Sequence, residues 1–244
     1  MAKIDLRKSS GIPLSYNGVD LQPQGLKFKN VLVINIDEIR PQLLNKSLSC
    51  PEVFYKKWEG LDGENVFSEK KLSVNFYTIQ PNLAGIEYVK TIASRCSKYP
   101  RIIEASYGGG IVLLQQYNSS EDNQVIKRTL KKGDKVVIPS GFAYTIINTR
   151  QNSNLIVVEI SYNKSKEEKV LDENNGMAYY VIRKNAKQEI VRNPYYKTVN
   201  KIENIDWDQI LQEQGITPKT PIIRQILRNY ERYDWLFKKN LSIF

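Results

Sequence analysis

The chain has 244 residues, of which 41% are hydrophobic and 25% are charged, as is typical of a soluble globular protein. This length suits one large domain, or one domain with sizeable arms. No apolar run is long enough to span a bilayer, and the N-terminal residues MAKIDLRKSSG turn polar at once. The sequence therefore excludes a disulfide framework, since Cys50 and Cys96 are too few, and predicts a cytoplasmic protein without membrane contact.

The charge and the missing histidine restrict the chemistry further. The formal net charge is +10, which favours acidic partners such as nucleic acid, an anionic membrane surface or a phosphorylated small molecule. The alternative is that the lysine-rich composition only reflects a biased genome. The chain contains no histidine, which removes the commonest general base near neutral pH and the commonest ligand of zinc, iron and nickel. Any enzyme chemistry would have to rely on carboxylates, lysine, tyrosine or cysteine.

The predicted elements are mostly short strands. Residues 1–30 carry scattered Gly and Pro and indicate an extended arm, and residues 30–44 combine a short strand with a helical turn that Pro41 interrupts. Segments rich in Val, Ile and Tyr then recur between Gly, Pro, Asn and Asp turns, which predicts an antiparallel sandwich or barrel. The glycine run at residues 108–110 predicts a hairpin turn rather than a phosphate cradle, because no P-loop lysine follows it. The strand segments are 70–81, 88–96, 100–117, 123–139, 143–149, 154–163 and 177–184.

The C-terminal part differs from the rest. Residues 204–215 predict a helix that Asn204 or Asp206 can cap and Gly215 can end. Residues 220–239 predict a second helix, with apolar residues at helical spacing on one face. The predicted organisation is an N-terminal arm with a lead-in strand and helix over 1–45, a barrel domain over 46–200 and a helical extension over 201–244.

The segment GDKVVIPSGFAYTIIN, residues 133–148, has a defined internal spacing. Gly133 opens a strand-connecting turn, and Gly141 lies where the chain turns tightly before the next strand. The spacing of Gly133, Pro139, Gly141 and Asn148 resembles the second signature motif of the cupin family. In that family a metal-binding histidine occupies the position of Tyr144.

The segment at residues 91–115 resembles the matching part of the cupin-type glucose-6-phosphate isomerases. Its threonine is Thr91, and it ends in the same glycine-rich turn followed by Leu-Leu-Gln. The two histidine positions of the family are occupied by Ser94 and Cys96, and the glutamate position by Arg101. Further similarity extends the resemblance from about residue 30 to the C-terminal end, in the segments 36–44, 51–60, 177–201 and 221–236.

The resemblance implies a cupin fold, a small double-stranded β-helix barrel with an N-terminal arm and C-terminal helices, commonly assembled as a homodimer. It also implies one divalent metal held by three histidines and a glutamate, with the glutamate carrying a proton between C1 and C2 of a sugar phosphate. All four of those positions differ here. Arg101 is a permanent cation that repels metals and cannot act as a base. Loss of the metal chemistry is therefore expected, with no cofactor.

The residues at the positions of the family's metal and substrate site, Thr91, Ser94, Cys96, Arg101 and Tyr144, form a candidate pocket, and several of them also have a structural interpretation. Arg101 would point into the barrel, where it either grips an anion or forms an ion pair with a carboxylate, for which Glu159 is the candidate. Tyr144 either hydrogen-bonds a ligand or fills the volume of the lost metal site. Thr91 matches a phosphate-binding position of the family but is also an ordinary strand residue.

A basic set of residues in the C-terminal extension is the candidate surface for nucleic acid or another partner. Its alternative interpretation is a solvated helix face. The set consists of Arg224, Arg228, Arg232, Lys238 and Lys239, and Lys127, Arg128, Lys131, Lys132 and Lys135 form a second basic cluster.

Three hypotheses about function follow. The first is a non-catalytic interaction or scaffold protein within a larger assembly, and the net charge makes an assembly that contains RNA or another nucleic acid one candidate. The second is an active glucose-6-phosphate isomerase with a rearranged site. The third is a metal-free module that binds a phosphorylated sugar through Thr91 and Arg101.

The replaced ligand positions generate a first prediction. The purified protein should carry no stoichiometric divalent metal, because Ser94 and Tyr144 are weak neutral ligands and Arg101 is a cation. Elemental analysis after gel filtration measures this directly. Close to one equivalent of iron, nickel, zinc or manganese in the barrel would contradict it.

Overall fold

The computed structural model describes residues 3–116 and 124–241. The outer ends of the predicted arm and extension, and the strand ends predicted at residues 117 and 123, lie outside these ranges. The helices are α1 Arg7–Ser10, α2 Ile36–Ile39, α3 Trp207–Glu213 and α4 Ile222–Arg228, with 3₁₀ turns at Arg40–Gln42 and Tyr230–Phe237. The strands are β1 Ile4–Asp5, β2 Leu14–Tyr16, β3 Leu21–Pro23, β4 Asn30–Asn35, β5 Val53–Glu59, β6 Leu72–Ile79, β7 Leu83–Ala84, β8 Glu87–Tyr88, β9 Ser94–Cys96, β10 Arg101–Tyr107, β11 Gly109–Gln116, β12 Val125–Lys131, β13 Lys135–Ile138, β14 Phe142–Asn148, β15 Leu155–Tyr162, β16 Glu167–Lys169, β17 Tyr179–Lys184, β18 Lys187–Arg192 and β19 Ile202–Glu203.

Two six-stranded sheets form the centre of the molecule. The first has the order β13-β10-β15-β6-β5-β4, and the second has the order β16-β9-β14-β11-β12-β19. Apolar side chains from both sheets, such as Val157 of β15 and Leu114 of β11, share one buried cluster, so the sheets face each other. This jelly roll confirms the predicted all-β, cupin-type core. Its strands form two facing sheets that do not close into one continuous barrel among the described residues, and we refer to this pair of sheets as the barrel. Three-stranded and four-stranded sheets flank it, with the orders β1-β2-β3 and β18-β17-β8-β7.

Both faces of the first sheet are buried at the strands β13, β10, β15 and β6, which explains why these strands are almost continuously apolar. In β15, Val157 points to the second sheet, whereas Val158 belongs to another cluster on the outer face. That outer cluster includes side chains of the N-terminal arm, such as Leu14, and of α4, such as Ile223. The arm and the C-terminal extension therefore cover the barrel. Whether residues 45 and 200 are domain boundaries stays a prediction, although β4 and β19 pair with barrel strands across both positions.

Strand β4 forms one edge of the first sheet. In the described part of the chain it pairs only with β5. Val31, Leu32 and Val33 are 40%, 38% and 42% exposed, so this edge is apolar on both of its faces.

The glycine run does not form the predicted hairpin. Strand β10 belongs to the first sheet and β11 to the second, so Gly108 lies where the chain crosses between sheets. Its φ of 79° suits glycine, and a Cβ on Gly110 would lie 2.1 Å from the carbonyl oxygen of Ile147. Glycine is required here for the close approach of backbone to backbone.

The C-terminal prediction is half right. Helix α3 is capped as expected, because the Asp206 carboxylate accepts hydrogen bonds from the N–H groups of Asp208 and Gln209. The predicted single helix over 220–239 is wrong, since α4 ends before Asn229, whose φ of −147° and ψ of 78° are not helical. A separate 3₁₀ segment follows and carries the apolar side chains of Tyr233 and Leu236 into the outer cluster. Among the described residues, no helix is long and apolar enough to cross a membrane.

A buried ion pair joins the C-terminal extension to the barrel. The Nζ of Lys135 lies 3.0 Å from Oε1 of Glu104 and donates to the carbonyl oxygen of Pro218 at 2.7 Å. The other Glu104 oxygen accepts the backbone N–H of Ile222, the first residue of α4, at 2.6 Å. Burial raises the pKa of Glu104 to about 7, although Lys135 and this N–H act in the opposite direction. Lys135 is thus not part of an exposed basic cluster.

Replacing Lys135 should destabilise the fold in a pH-dependent way. We expect Lys135→Met to cost about 3–5 kcal/mol, because it leaves a buried carboxylate unpaired. A folded-state pKa above the unfolded value of 4.5 means that stability falls as pH rises between these two values. Without Lys135 the pKa of Glu104 rises further, so the cost should be greater at about pH 8 than at about pH 6. Urea unfolding measures both effects.

The matched control is the double variant Glu104→Gln/Lys135→Met, which lacks both charges. It should regain much of the lost stability and lack the additional pH dependence. Equal costs for Lys135→Met at both pH values would show that Glu104 does not titrate in this range.

Candidate functional site

A network of charged and phenolic side chains occupies the interior between the two sheets. Its centre is the carboxylate of Glu159 on β15, which is 1% exposed. The Nη1 of Arg101 donates to Glu159 at 2.7 Å, and the Tyr144 hydroxyl donates to the same oxygen at 2.7 Å. Asn75 and Tyr77 of β6 donate at 3.2 and 3.3 Å. The predicted ion pair between Arg101 and Glu159 is confirmed.

Strand alternation brings these side chains together. Arg101 has the same parity as Ile103 and Ala105 of β10, which belong to the buried cluster between the sheets. Glu159 is paired with Asn75 across the ladder between β15 and β6. Tyr144 enters from the second sheet and is 2% exposed. These side chains therefore bridge the two sheets.

Two members of the network were not predicted from the sequence. Glu167 of β16 accepts a hydrogen bond from the Tyr144 hydroxyl at 2.8 Å and lies 3.4 Å from Nη1 of Arg101. Its other oxygen accepts from Lys57 of β5 at 2.6 Å. Glu167 lies in the run KSKEEK and Lys57 in YKKWE, where nothing distinguishes them from solvated charges. We call Lys57, Arg101, Tyr144, Glu159 and Glu167 the interior network.

The network sets the ionisation of its own members. Burial raises the pKa of Glu167, but the cations Arg101 and Lys57 lower it by more, and the result is a pKa of about 2. Burial raises the pKa of Tyr144 well above its ordinary value, against the opposing effect of Arg101. At neutral pH the network therefore holds an ionised Glu167 and a neutral Tyr144.

Two cavities flank the network. The arginine cavity, of about 420 Å³, has a polar lining that includes Arg101, Glu159, Asn75, Ser161 and Asn163. The tyrosine cavity, of about 310 Å³, lies on the other side. Its lining includes Thr91, Ser94 and Tyr144, with Leu32 and Ile34 of the edge strand β4. Both cavities are also lined by Lys57, Glu59 and Glu167.

The structure brings the predicted pocket residues close together but not around one cavity. Thr91, Ser94 and Tyr144 line the tyrosine cavity, whereas Arg101 lines the arginine cavity. The Thr91 hydroxyl accepts the backbone N–H of Ile146 at 3.0 Å, a structural use of a strand threonine. Ser94 donates to the carbonyl oxygen of Ile92 at 3.3 Å. The Cys96 thiol is buried, contacts Nη2 of Arg101 and accepts from Ser165 at 3.0 Å.

The residues present do not fit the metal that the resemblance implies. The guanidinium of Arg101 lies between the Cys96 thiol and the Tyr144 hydroxyl, so a cation already contacts two of the four former ligand positions. Burial lowers the pKa of Arg101, but Glu159 and the other neighbouring acidic groups raise it by more, so this pKa lies well above the ordinary value and the guanidinium stays charged. Among residues 3–116 and 124–241, no group of three or more His, Cys, Asp or Glu residues could hold a metal ion.

The predicted partner-binding residues do not share one helix face. Arg224 and Arg228 lie on α4, whereas Arg232 lies beyond the break at Asn229. A Cβ on Gly215 would lie 2.4 Å from Nε of Arg232, so this side chain packs over the turn after α3. Lys238 is paired with Asp234 at 3.1 Å, and Lys239 is exposed. Their role in binding stays a prediction.

Comparison with known proteins identifies one family. The protein family described as Glucose-6-phosphate isomerase (GPI) matches residues 50–198, more than half of the chain. This range contains every member of the interior network. A search of curated proteins finds no match.

Solved structures resemble the fold at low identity. Vicilin from hazelnut, Corylus avellana, is 23% identical, with 52% of this chain and 34% of the vicilin chain covered and a TM-score of 0.38. An oxalate oxidase in complex with the substrate analogue glycolate is 15% identical over 61% of this chain and 57% of that one, with a TM-score of 0.36. A cupin 2 conserved barrel domain protein from Rhodopseudomonas palustris is 11% identical over 57% and 75%, with a TM-score of 0.35. The chain spans about a third of the vicilin length.

The depressed pKa of Glu167 generates a prediction about acid stability. A carboxylate whose pKa falls from 4.5 to about 2 on folding stabilises the folded state above pH 4.5, and this stabilisation is lost as pH falls towards 2. At about 1.4 kcal/mol per pKa unit, Glu167→Gln should be up to about 3 kcal/mol less stable than wild type near neutral pH. The difference should shrink below pH 4.5. Urea midpoints of both proteins across this range provide the test.

The exposed Glu168→Gln variant on the same strand is the control, because its carboxylate lies outside the interior network. A pH-independent difference between wild type and Glu167→Gln would contradict the assigned pKa.

Proposed function

Because the chain belongs to the glucose-6-phosphate isomerase (GPI) family, we propose that it is a non-catalytic member that acts as an interaction protein within a larger assembly. The observation that carries this proposal is the ion pair of Arg101 with Glu159, which occupies the position of the family's metal chemistry. The charge of a buried arginine paired with two carboxylates and hydrogen-bonded to a tyrosine is compensated, as in a structural ion pair. This pairing leaves neither a metal site nor a free base at the centre of the barrel.

The chemistry of isomerisation supports the same conclusion. Moving a proton between adjacent carbons next to a carbonyl needs a base whose pKa lies near the working pH. Glu167 is the network carboxylate that both cavities reach, but its pKa of about 2 makes it a weak base. The Tyr144 hydroxyl is committed to carboxylates on two strands. This disfavours the second hypothesis, an active isomerase with a rearranged site.

The support for an assembly is electrostatic. A net charge of +10 favours an acidic partner, and a nucleic-acid-containing assembly fits that charge. The cytoplasmic location and a homodimer stay predictions from the sequence.

A metal-free ligand-binding module is the second candidate, and one observation favours it. The Nε of Arg101 is buried, has no hydrogen-bond partner among the described residues, and belongs to a side chain that lines the arginine cavity. An acceptor oxygen of a ligand would satisfy it. The lining, however, carries the carboxylates Glu59, Asp62, Glu159 and Glu167 against the cations Lys29, Lys57 and Arg101, which disfavours a phosphate dianion.

An isomerase assay tests the proposed function. We expect negligible interconversion of glucose 6-phosphate and fructose 6-phosphate, with or without added divalent metal, because the centre of the barrel offers neither a matched base nor a metal site. Turnover within the ordinary enzyme range of roughly 1–1000 per second, lost in Glu167→Gln, would overturn the proposal.

Thermal melting in the presence of glucose 6-phosphate separates the second candidate from the first. A shift in melting temperature that Arg101→Lys abolishes would identify a ligand site. An unchanged melting temperature supports the structural role of the network.

A further inference from the structure

A second concentration of charge lies outside the interior network. A cavity of about 270 Å³ is lined by Ser97, Lys98, Tyr99, Lys164, Lys166, Glu168 and Lys239, and we call it the lysine cavity. All four lysines are exposed, and none forms a salt bridge within the described residues. The single carboxylate, Glu168, is already hydrogen-bonded by Arg95 at 3.3 Å. Four cations therefore converge against one carboxylate that already has a cationic partner.

The fold brings these lysines together from three separate parts of the chain. Lys98 follows β9, Lys164 and Lys166 precede β16, and Lys239 follows the final 3₁₀ segment. The backbone N–H of Asn240 donates to the carbonyl oxygen of Lys98 at 2.9 Å, which fixes the C-terminal segment at the rim.

A cluster of aromatic rings adjoins the cavity, and one of them, Tyr99, lines it. The ring of Tyr162 packs edge-to-face against Tyr99 at 4.8 Å and against Phe237 at 5.1 Å. The strand β16 also separates the two charged regions, because Glu167 points inward to the interior network while Lys166 and Glu168 point to the opposite face. The lysine cavity is thus a built feature of the surface.

We propose that the lysine cavity binds the phosphate backbone of a nucleic acid. This inference rests on the proposed role as an interaction protein and names the class of partner. Unpaired lysines raise the local positive potential and are free to neutralise phosphates, which releases counterions. Exposed lysines act as hydrated point charges without the planar fork of arginine, so they suit sequence-independent attraction to a chain of phosphates.

The surface chemistry favours a polymer over a small phosphorylated metabolite. Sites for small ligands are concave, mostly apolar and equipped with a few fixed polar groups. Here the cations are flexible and exposed, and the net charge of +10 extends the attraction beyond the cavity. The lysine cavity differs from the partner surface that the sequence predicts in the C-terminal extension. Of the five basic residues in that predicted surface, only Lys239 lines the cavity. The three arginines of that surface do not share one helix face, because the helix breaks at Asn229.

The test compares two variants with the same net charge. The cavity variant carries Lys98→Gln, Lys164→Gln, Lys166→Gln and Lys239→Gln. The control variant carries Lys184→Gln, Lys187→Gln, Lys197→Gln and Lys201→Gln, four exposed lysines outside the cavity. Each set removes four positive charges, so both variants have a net charge of 10 − 4 = +6.

Binding to a short labelled single-stranded RNA is measured by fluorescence anisotropy between about 50 and 200 mM salt. If all four lysines contact phosphates, the logarithmic salt slope of the cavity variant should fall by about 3 units, at about 0.7 per contact on a single strand. The control variant should keep a slope close to that of wild type. Thermal melting of both variants should be unchanged, because exposed and unpaired lysines contribute little to stability.

Three outcomes would overturn the inference. If the wild-type protein does not bind RNA at low salt, nucleic acid is not the partner of the lysine cavity. Equal losses in the two variants would show attraction by net charge alone. Displacement of the RNA by glucose 6-phosphate at an equal phosphate concentration would identify a small phosphorylated ligand instead. Isomerase turnover would overturn the proposed function without changing the comparison of the two variants, so the two failures are distinguishable.

Discussion

The carboxylate of Glu159 is the group on which the interior of this barrel depends. It lies between two facing sheets, almost without solvent contact, and hydrogen bonds from Arg101, Tyr144, Tyr77 and Asn75 converge on it. An ionised carboxylate in such surroundings is tolerated only because a cation and several hydrogen-bond donors compensate for the lost water. The same applies to Arg101, so removing either residue alone leaves the other as an uncompensated buried charge. A conversion of the barrel from metal binding to ion pairing would need several positions to change together.

The outer face of the first sheet shows how a small barrel gains enough buried surface. The N-terminal arm and the C-terminal extension pack on the side opposite the interior network, and they turn an exposed sheet face into part of the core. The pair of Glu104 with Lys135 fixes the start of α4 in this layer. Alternate residues of β10 therefore serve different purposes: Arg101 points inward to Glu159, and Glu104 points outward to the extension.

The sequence predicts the fold and one pair of the site well, but not the remainder. The cupin-type core follows from strand spacing and motif glycines, and the ion pair of Arg101 with Glu159 follows from the need to compensate a buried cation. Glu167 and Lys57 lie 110 residues apart in sequence and look like ordinary surface charges until the folded strands bring them together. The sequence does not reveal the helix break at Asn229, because the apolar spacing of residues 222–230 continues through it. The glycine run predicts a hairpin because local sequence does not reveal which sheet receives the next strand.

The net positive charge also bears on the exposed edge strand β4, because like-charged molecules repel each other. Among the described residues β4 has no second partner strand, and it exposes Val31, Leu32 and Val33, so another extended chain can pair with it. Natural edges are commonly protected by an inward-pointing charge, a proline or a bulge, and here the apolar run Val31–Ile34 contains no proline or charged residue. Mutual repulsion between molecules of charge +10 supplies colloidal protection over a distance of about one Debye length, roughly 10 Å at 0.1 M salt. The basic composition thus also opposes pairing between the uncovered β4 edges of two copies of the chain.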